Sequence, residues 1–393
     1  MHQVSSLLRG TALGLVAALV GLPVLADETF STDLHEVQIE RIAEVEHPWG
    51  LALLPDGRFL VTERNQGIIR MGERGGTLSP PIDGTPEVFR YEGPTDRSQA
   101  GMFHVALHPD FAENGYVYWS FSEPSDEGAG TAIARGVLVG EADAPAFERV
   151  EVIYTMDPHD SGGLHFGGRF AFHPEDNSIL LSVGDRRNMS RAQDGDDHAG
   201  SIIRVMDDGS TPDDNPHVDD DEIDDKIYAK GVRNIQALAF HPESGELWVA
   251  DHGPEGGDEI NRIEGGENYG WPFQTAGVDY SGAPIGEGEE VEGMVSPVHV
   301  FEDTVAPSGL VFYQGDEFPE WQGHMLIGGL AGEALVRVEL GEDGDEVAEE
   351  EWMLEDLERR IRDVIVADDG AIWILTEHAD GEVIRLTNAD RES

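Results

Sequence analysis

The stretch GRFAFHPEDNSILLSVGDR, residues 168–186, contains two runs of aliphatic, β-branched and aromatic residues on either side of a turn rich in Pro, Asp and Asn. Such runs around such a turn are typical of a β-hairpin. The same phrase, an apolar run, a turn and a second apolar run, occurs six times along the chain. The six copies occupy residues 49–64, 103–122, 168–186, 236–253, 308–329 and 362–378.

Six similar hairpins, about 50–70 residues apart, predict an all-β fold, a six-bladed β-propeller. Enough residues lie between the copies for two further strands, so we expect each blade to be a four-stranded antiparallel sheet. A β-sandwich would not explain six similar phrases. Helical pattern is nearly absent, and the acidic stretch at 346–360 fits either a short helix or a strand.

Residues 1–26 have the pattern of a secretory signal peptide, in which Arg9 precedes an apolar run and small residues precede a cleavage point after Ala26. The apolar run is shorter than the roughly 20 residues that cross a bilayer. We therefore expect a cleaved leader, no membrane insertion, one propeller domain over residues 27–393, and a periplasmic or secreted location. The sequence has no cysteine, so the exported fold must be held by its core, by metal ions or by both.

The charge of the chain is strongly negative, with 79 acidic against 25 basic residues and a formal net charge of −54. Such a surface repels nucleic acids and anionic membranes, and neither is expected as a partner. The acidic residues are spread over the whole chain rather than gathered in a binding tail. Because salt screens repulsion between surface charges, this composition indicates a halophilic adaptation to high salt.

The functional residues of a propeller usually lie where loops of one face meet around the central channel. We therefore expect them just before the first strand or just after the second strand of each phrase. His165 stands at such a position, between the glycine pairs 162–163 and 167–168. A neutral imidazole suits a general base near neutral pH, although these residues alone also allow a histidine that only hydrogen-bonds within a tight loop.

Five motifs carry a resemblance to a known family. The motifs HFGGR, SVGDR, GVRNIQALAF, DHGPEGGDEINRI and NYGWP, in this order, resemble the soluble quinoprotein sugar dehydrogenases of the glucose/sorbosone dehydrogenase family, and most of all its periplasmic aldose sugar dehydrogenases. The resemblance runs from about residue 45 to residue 386. It implies a six-bladed propeller that uses pyrroloquinoline quinone (PQQ) and calcium to oxidise aldoses at C1 to lactones.

The resemblance also implies the roles of individual residues. His165 would take the proton of the anomeric hydroxyl, and Asp185 would fix the imidazole tautomer and stabilise the imidazolium. Guanidinium and amide groups suit the carboxylates and carbonyls of PQQ. The implied cofactor-binding residues are Gln99, Arg233, Asn234, Thr275, Tyr280, Arg360 and Arg362. The chain departs from its relatives at Ala331, where they carry a lysine, and at His104, where they commonly carry an aspartate.

The implied calcium region is DHGPEGGDEINRIEGGENYGWP, residues 251–272. Calcium prefers oxygen ligands, and glycine-rich turns expose backbone carbonyls. By the resemblance, the carbonyls of Gly253 and Pro254 hold the ion beside PQQ, where it polarises the quinone carbonyl. Glu259 and Tyr269 match a second, structural calcium site, to which Tyr269 contributes its backbone oxygen.

Two other functions remain open. A calcium-dependent lactonase on the same architecture needs a metal held by several carboxylates, whereas the motifs offer one side-chain ligand, Glu259. A non-catalytic propeller that binds a protein or a sugar would have no need of His165, Asp185 and Arg233 together. For a dehydrogenase, we expect an aldose as substrate and a soluble periplasmic redox partner as electron acceptor.

Overall fold

Strands make up nearly all the regular structure of the computed structural model, which describes residues 28–91 and 98–391. The first strands are β1 (Glu28–Ser31), β2 (Glu36–Val45), β3 (Pro48–Leu53), β4 (Phe59–Glu63), β5 (Ile68–Gly72), β6 (Met102–Leu107), β7 (Tyr116–Ser125) and β8 (Gly128–Val139). They are followed by β9 (Ala146–Thr155), β10 (Phe170–Phe172), β11 (Ile179–Val183), β12 (Ser201–Val205), β13 (Ile227–Lys230), β14 (Ile235–Phe240), β15 (Leu247–Asp251) and β16 (Glu259–Ile263). The last are β17 (His299–Val300), β18 (Pro307–Phe312), β19 (Met325–Gly329), β20 (Leu335–Leu340), β21 (Val347–Met353), β22 (Ile361–Val366), β23 (Ile372–Thr376) and β24 (Gly381–Asn388). The predicted signal peptide lies outside the described residues.

The strands form six antiparallel sheets in a ring, which confirms the predicted six-bladed β-propeller. Four blades have four strands each, namely β6–β9, β10–β13, β14–β17 and β18–β21. The blade β3–β5 has three strands, and the blade β22–β24 gains β2 and then β1. Strand β2 pairs with β24 from Val37 opposite Asn388 to Val45 opposite Gly381. The ring is thus closed by a strand from the N-terminal part of the chain.

Each of the six repeated phrases forms the first two strands of its blade. In residues 168–186, Phe170 lies opposite Leu181 and Phe172 lies opposite Ile179. Both strands of such an inner hairpin are covered by neighbouring blades, so their sequences are apolar runs rather than alternating ones. The blades thereby bring their inner loops to one end of the central channel.

The core is divided into six main clusters, each between two neighbouring blades. Between the blades of β6–β9 and β10–β13, for example, Tyr118, Ile133, Phe170 and Leu181 pack together. Since burial of apolar surface contributes about 25 cal/mol per Å², this repeated packing between blades is the main force that holds the ring. It also fixes the loops that border the channel.

Helical structure is confined to short segments in the described part of the chain: α1 (Phe111–Asn114) and three 3₁₀ turns at Met189–Gln193, Pro319–Trp321 and Glu355–Leu357. The stretch at 346–360 forms β21 followed by the last of these turns, so the strand alternative is the right one. None of the described helices has the length and apolarity needed to cross a membrane.

Candidate active site

A cavity of about 760 Å³ lies at the end of the channel where the first strands begin and the second strands end. Its lining includes His165, just before β10, and Arg360, just before β22. It also includes Arg64, His252 and Glu377, each directly after the second strand of its blade. The cavity therefore lies where the repeated phrases predict functional residues.

His165 and Asp185 form a buried pair at the edge of this cavity. The imidazole Nδ1 lies 2.6 Å from Asp185 Oδ1. The other carboxylate oxygen accepts a hydrogen bond from the indole of Trp271 at 2.9 Å, and the backbone N–H of Arg187 donates to Oδ1 at 2.8 Å. Burial lowers the pKa of His165, although Asp185 opposes this effect. The imidazole is therefore neutral near pH 7, and its Nδ1–H donates a hydrogen bond to the carboxylate of Asp185.

The backbone around His165 explains the glycines that flank it. His165 has a φ of 50°, in the left-handed region, and Gly167 follows with a φ of 65°. A Cβ at Gly167 would lie 2.5 Å from the carbonyl oxygen of Ser182, so only glycine fits there. The N–H of His165 donates to Gln99 Oε1 at 2.7 Å. The loop is tightly folded and presents the imidazole at the cavity edge.

Arg233 and Asn234 lie in the turn before β14, which is held by the carboxylate of Asp251. The backbone N–H groups of both residues donate to Asp251 at 2.7 Å, and Asn234 Oδ1 accepts from the N–H of Gly167 at 3.2 Å. Burial raises the pKa of Asp251 to about 6. The Arg233 guanidinium donates to the carbonyl of His252 at 3.0 Å, and Arg233 lies beside His165 and Asp185 around a smaller adjoining cavity.

Tyr280 is 59% exposed and borders both the central cavity and the adjoining one. Its hydroxyl is 3.4 Å from Arg233 Nη2, and its ring lies 5.2 Å from the guanidinium carbon of Arg187. Gln99 also lines the central cavity. The structure thus brings Gln99, Arg233 and Tyr280 together around His165.

Arg360 and Arg362 lie on the other side of the cavity and share one carboxylate, that of Glu377. The distances from Glu377 to Arg360 and Arg362 are 3.2 and 2.6 Å, and Arg64 lies 2.8 Å away on the other carboxylate oxygen. Burial opposes ionisation of Glu377, but the three guanidinium groups hold its pKa well below the usual range. One carboxylate against three guanidinium groups leaves this wall positive.

The residues predicted for calcium binding do not all lie together. Pro254 borders the small cavity beside His165 and Arg233, and the N–H of Gly253 donates to Asp258 at 2.8 Å. Glu259 lines a different cavity, of about 160 Å³, with Glu289 and Glu290. Burial and the nearby Asp251 raise the pKa of Glu259 to about 8. No group of three or more His, Asp or Glu side chains suited to a metal ion occurs among the described residues.

Two further predicted residues, Thr275 and Tyr269, do not line the central cavity. Thr275 lines the cavity of Glu259 rather than the central one, and its hydroxyl accepts from the N–H of Gly277 at 3.2 Å. The phenol of Tyr269 is turned to β16, where it donates to the carbonyl of Arg262 at 2.9 Å. A place for Thr275 beside the quinone therefore does not follow from this geometry.

Ala331 and His104 are the two residues at which the chain departs from the family pattern. Ala331 is exposed, and its N–H donates to the carbonyl of Val305 at 3.0 Å. His104 borders a second cavity, of about 720 Å³, and its Nδ1 lies 2.8 Å from Arg169 Nη1. Burial and the charge of Arg169 hold the pKa of His104 well below its usual value.

The residues of the site that were not predicted from the sequence include Arg64, Glu377 and Trp271. Arg64 directly follows β4 in VTER and Glu377 directly follows β23 in LTEH, in the same loop region where Asp185 follows β11 in SVGDR. The rule that functional residues follow the second strand would have found both. Trp271 lies within the NYGWP motif, but only the fold shows that its indole holds Asp185.

Comparison with known proteins confirms the resemblance seen in the motifs. The family model described as glucose/sorbosone dehydrogenase matches residues 45–385. An aldose sugar dehydrogenase of Escherichia coli strain K12 is 37% identical over 347 residues, covering 88% of this chain and 91% of the relative. Quinoprotein glucose dehydrogenase B of Acinetobacter calcoaceticus is 27% identical over 416 residues, covering 86% of this chain and 84% of the relative.

Solved structures show the same similarity. The soluble aldose sugar dehydrogenase of Escherichia coli in its apo form superposes with a TM-score of 0.84 at 37% identity, over 90% of this chain and 99% of the other. The PQQ-bound aldose sugar dehydrogenase of Streptomyces coelicolor superposes with a TM-score of 0.71 at 25% identity, over 89% of this chain and 98% of the other.

Proposed function

The chain belongs to the glucose/sorbosone dehydrogenase family, and we propose that it oxidises aldose sugars at C1 to lactones, with PQQ as hydride acceptor and calcium as its partner ion. The observation that carries the proposal is the His165–Asp185 pair, at 2.6 Å, on the edge of an arginine-lined cavity. The PQQ-bound relative from Streptomyces coelicolor supports the choice of cofactor.

The cavity suits a flat tricarboxylate in volume and charge. Its volume of about 760 Å³ lies within the roughly 300–1,000 Å³ of small-molecule sites. Arg360 and Arg362 would hold carboxylates on one wall, and Arg233 would do so from the adjoining cavity beside His165, since bidentate guanidinium–carboxylate contacts are strong. Gln99 and Asn234 would contact the ring system with their amides, and Tyr280 would cover it at the mouth.

Calcium would bind to backbone oxygens rather than to a carboxylate cluster. Pro254 lies beside His165 and Arg233, so an ion on the carbonyls of Gly253 and Pro254 would be next to the cofactor. We further propose a structural ion at Glu259, whose raised pKa marks a carboxylate that a cation would stabilise in its ionised form.

In the reaction, His165 acts as the general base. Because Asp185 binds the Nδ1 proton, the lone pair is on Nε2, which has no hydrogen-bond partner among the described residues. Nε2 takes the proton of the anomeric hydroxyl, and Asp185, held by Trp271, stabilises the resulting imidazolium. When bound, PQQ would accept hydride from C1, with calcium polarising its carbonyl.

We further propose that the protein acts outside the cytoplasm. Residues 1–26 would direct export and be removed. Electrons would then leave through a soluble redox partner in the periplasm. The acidic composition would keep the folded protein soluble there at high salt.

The proposal is tested by adding PQQ and Ca²⁺ to the purified protein and following the quinone absorbance while a panel of aldoses is mixed in. We expect a bound-quinone spectrum that bleaches with at least one aldose, and loss of this reaction when calcium is chelated. The matched measurement is hydrolysis of an aldonolactone with calcium alone. Lactone hydrolysis without bleaching would establish the lactonase alternative instead, and binding of sugar with neither reaction would indicate a binding protein.

A further inference from the structure

Arg186 makes several contacts with the loop that carries His165, and we propose that it is a positioning residue that sets the position of the His165 imidazole. The inference rests on the proposed role of His165 as the base. Its observation is separate, since Arg186 borders none of the cavities described above. The side chain of Arg186 is completely buried.

The contacts of Arg186 converge on the segment 160–166. Its Nη1 and Nη2 donate to the carbonyls of Leu164 and Gly162. Its Nε donates to Asp160 Oδ2 at 3.1 Å. The guanidinium carbon lies 3.5 Å from the ring centre of Phe166. The contacts thus reach residues on both sides of His165.

Asp185 and Arg186 are consecutive, yet they hold two different parts of the same loop. Asp185 binds the imidazole of His165, and Arg186 binds the backbone that carries it. Arg186 has a φ of 54°, a conformation that non-glycine residues rarely adopt and that persists where the surroundings impose it. The turn therefore directs two successive side chains to one target.

An arginine is needed because its planar fork can meet two carbonyls and a carboxylate at once. Lysine keeps the charge but cannot make all three contacts. The position of the base matters because a displacement of about 1 Å can lower a rate by about 10²-fold.

Arg191 provides a matched control. It binds the same Asp160 and also Asp197, and it is mostly buried. Its remaining hydrogen bond reaches the carbonyl of Pro158, so none of its hydrogen bonds goes to residues 162–166. Arg186→Gln and Arg191→Gln therefore break the same ion-pair network, but only the first releases the loop.

The experiment compares the two variants, loaded with PQQ and calcium, in aldose oxidation, and compares their apoproteins by NMR of the hydrogen-bonded Nδ1 proton of His165. We expect Arg186→Gln to lower kcat about 10–10²-fold with the KM for the aldose changed less than about threefold, and to shift or broaden the His165 signal. Arg191→Gln should leave kcat within about twofold and keep the signal. If Arg186→Gln does not fold, Arg186→Lys serves, with a smaller loss of kcat.

Wild-type kcat and an unchanged His165 signal in the Arg186 variant would overturn the inference. Equal losses in the Arg186 and Arg191 variants would also overturn it, because they would reduce Arg186 to a structural role. If the wild-type protein oxidises no aldose, the proposed function fails, and the NMR comparison of the apoproteins still decides whether Arg186 positions His165.

Discussion

His165 and His198 are two buried histidines, 6% and 4% exposed, and each has an aspartate partner. At His165 the aspartate lies at Nδ1, so Nε2 carries the lone pair at the cavity edge. At His198 the N–H of Asp157 donates to Nδ1, so the proton is on Nε2, 3.3 Å from Asp224. The two imidazoles are held in opposite tautomers.

The difference shows that a histidine–aspartate pair does not by itself make a base. His198 uses both nitrogens inside the protein, and Tyr154 OH adds a further contact at 2.9 Å to its Nδ1. His165 uses one nitrogen and leaves the other for a ligand. A catalytic role thus depends on which nitrogen the carboxylate occupies and on what the other one faces.

The largest expected effect is that of His165→Gln. Without the base, the rate of PQQ reduction by an aldose should fall about 10²–10⁴-fold. Cofactor binding should remain, because Arg233, Arg360 and Arg362 are unchanged. Stopped-flow mixing of cofactor-loaded protein with aldose measures the rate, and near wild-type reduction would remove His165 from the mechanism.

Asp185→Asn should have the next largest effect. The amide leaves the base in place but weakens the control of its tautomer and the stabilisation of the imidazolium, so we expect a loss of about 10–10²-fold, smaller than that of His165→Gln. The same stopped-flow assay measures it. A loss as large as that of His165→Gln would mean that Asp185 does more than orient the imidazole.

His198→Gln should lower the stability of the protein and leave the reaction rate unchanged, in contrast to His165→Gln. An unsatisfied buried group costs about 1–3 kcal/mol, and each kcal/mol lowers Tm by at most about 2 °C in a chain longer than 250 residues. Thermal unfolding and the stopped-flow rate are measured on the same sample. A lower Tm with an unchanged rate is expected, whereas a slowed reaction would contradict the distinction drawn between the two sites.

The pH dependence gives the smallest and most specific effect. Burial lowers the pKa of His165, and the neutral form is the active one. The value of kcat/KM should therefore be flat from about pH 7 upward and fall only below the ordinary histidine pKa of about 6.5. Because Asp185 raises this pKa, Asp185→Asn should move the fall to still lower pH. A fall above pH 7 in the wild-type protein would contradict the pKa direction.

The fold was largely predictable because its information is local. Each phrase specifies a hairpin through its own apolar runs and turn, and six hairpins imply a ring. The unequal blades were not predictable in this way. The pairing of β2 with β24 joins residues more than 330 positions apart. The sequence pattern of neither strand indicates with which strand it pairs.

The site residues that could be predicted are those in loops next to the repeated hairpins. His165, Arg233 and Arg360 lie in loops directly attached to inner strands, and the structure brings them to the central cavity and the smaller one that adjoins it at His165. Thr275 lies in the long connection between β16 and β17, which no repeated phrase orients, and it lines another cavity. Arg64 reaches Glu377 from the neighbouring blade, and a single motif does not reveal such a contact.

The closure of the ring by β2 sets an order of events during synthesis. The blade that β2 completes carries Arg360, Arg362 and Glu377, most of one wall of the cavity. Strand β2 emerges from the ribosome before β24 does. It cannot pair with β24 until the residues between the two strands have been synthesised. The last blade is therefore completed only after β24 has been synthesised. If PQQ binds as proposed, this wall can hold it only once the last blade has folded.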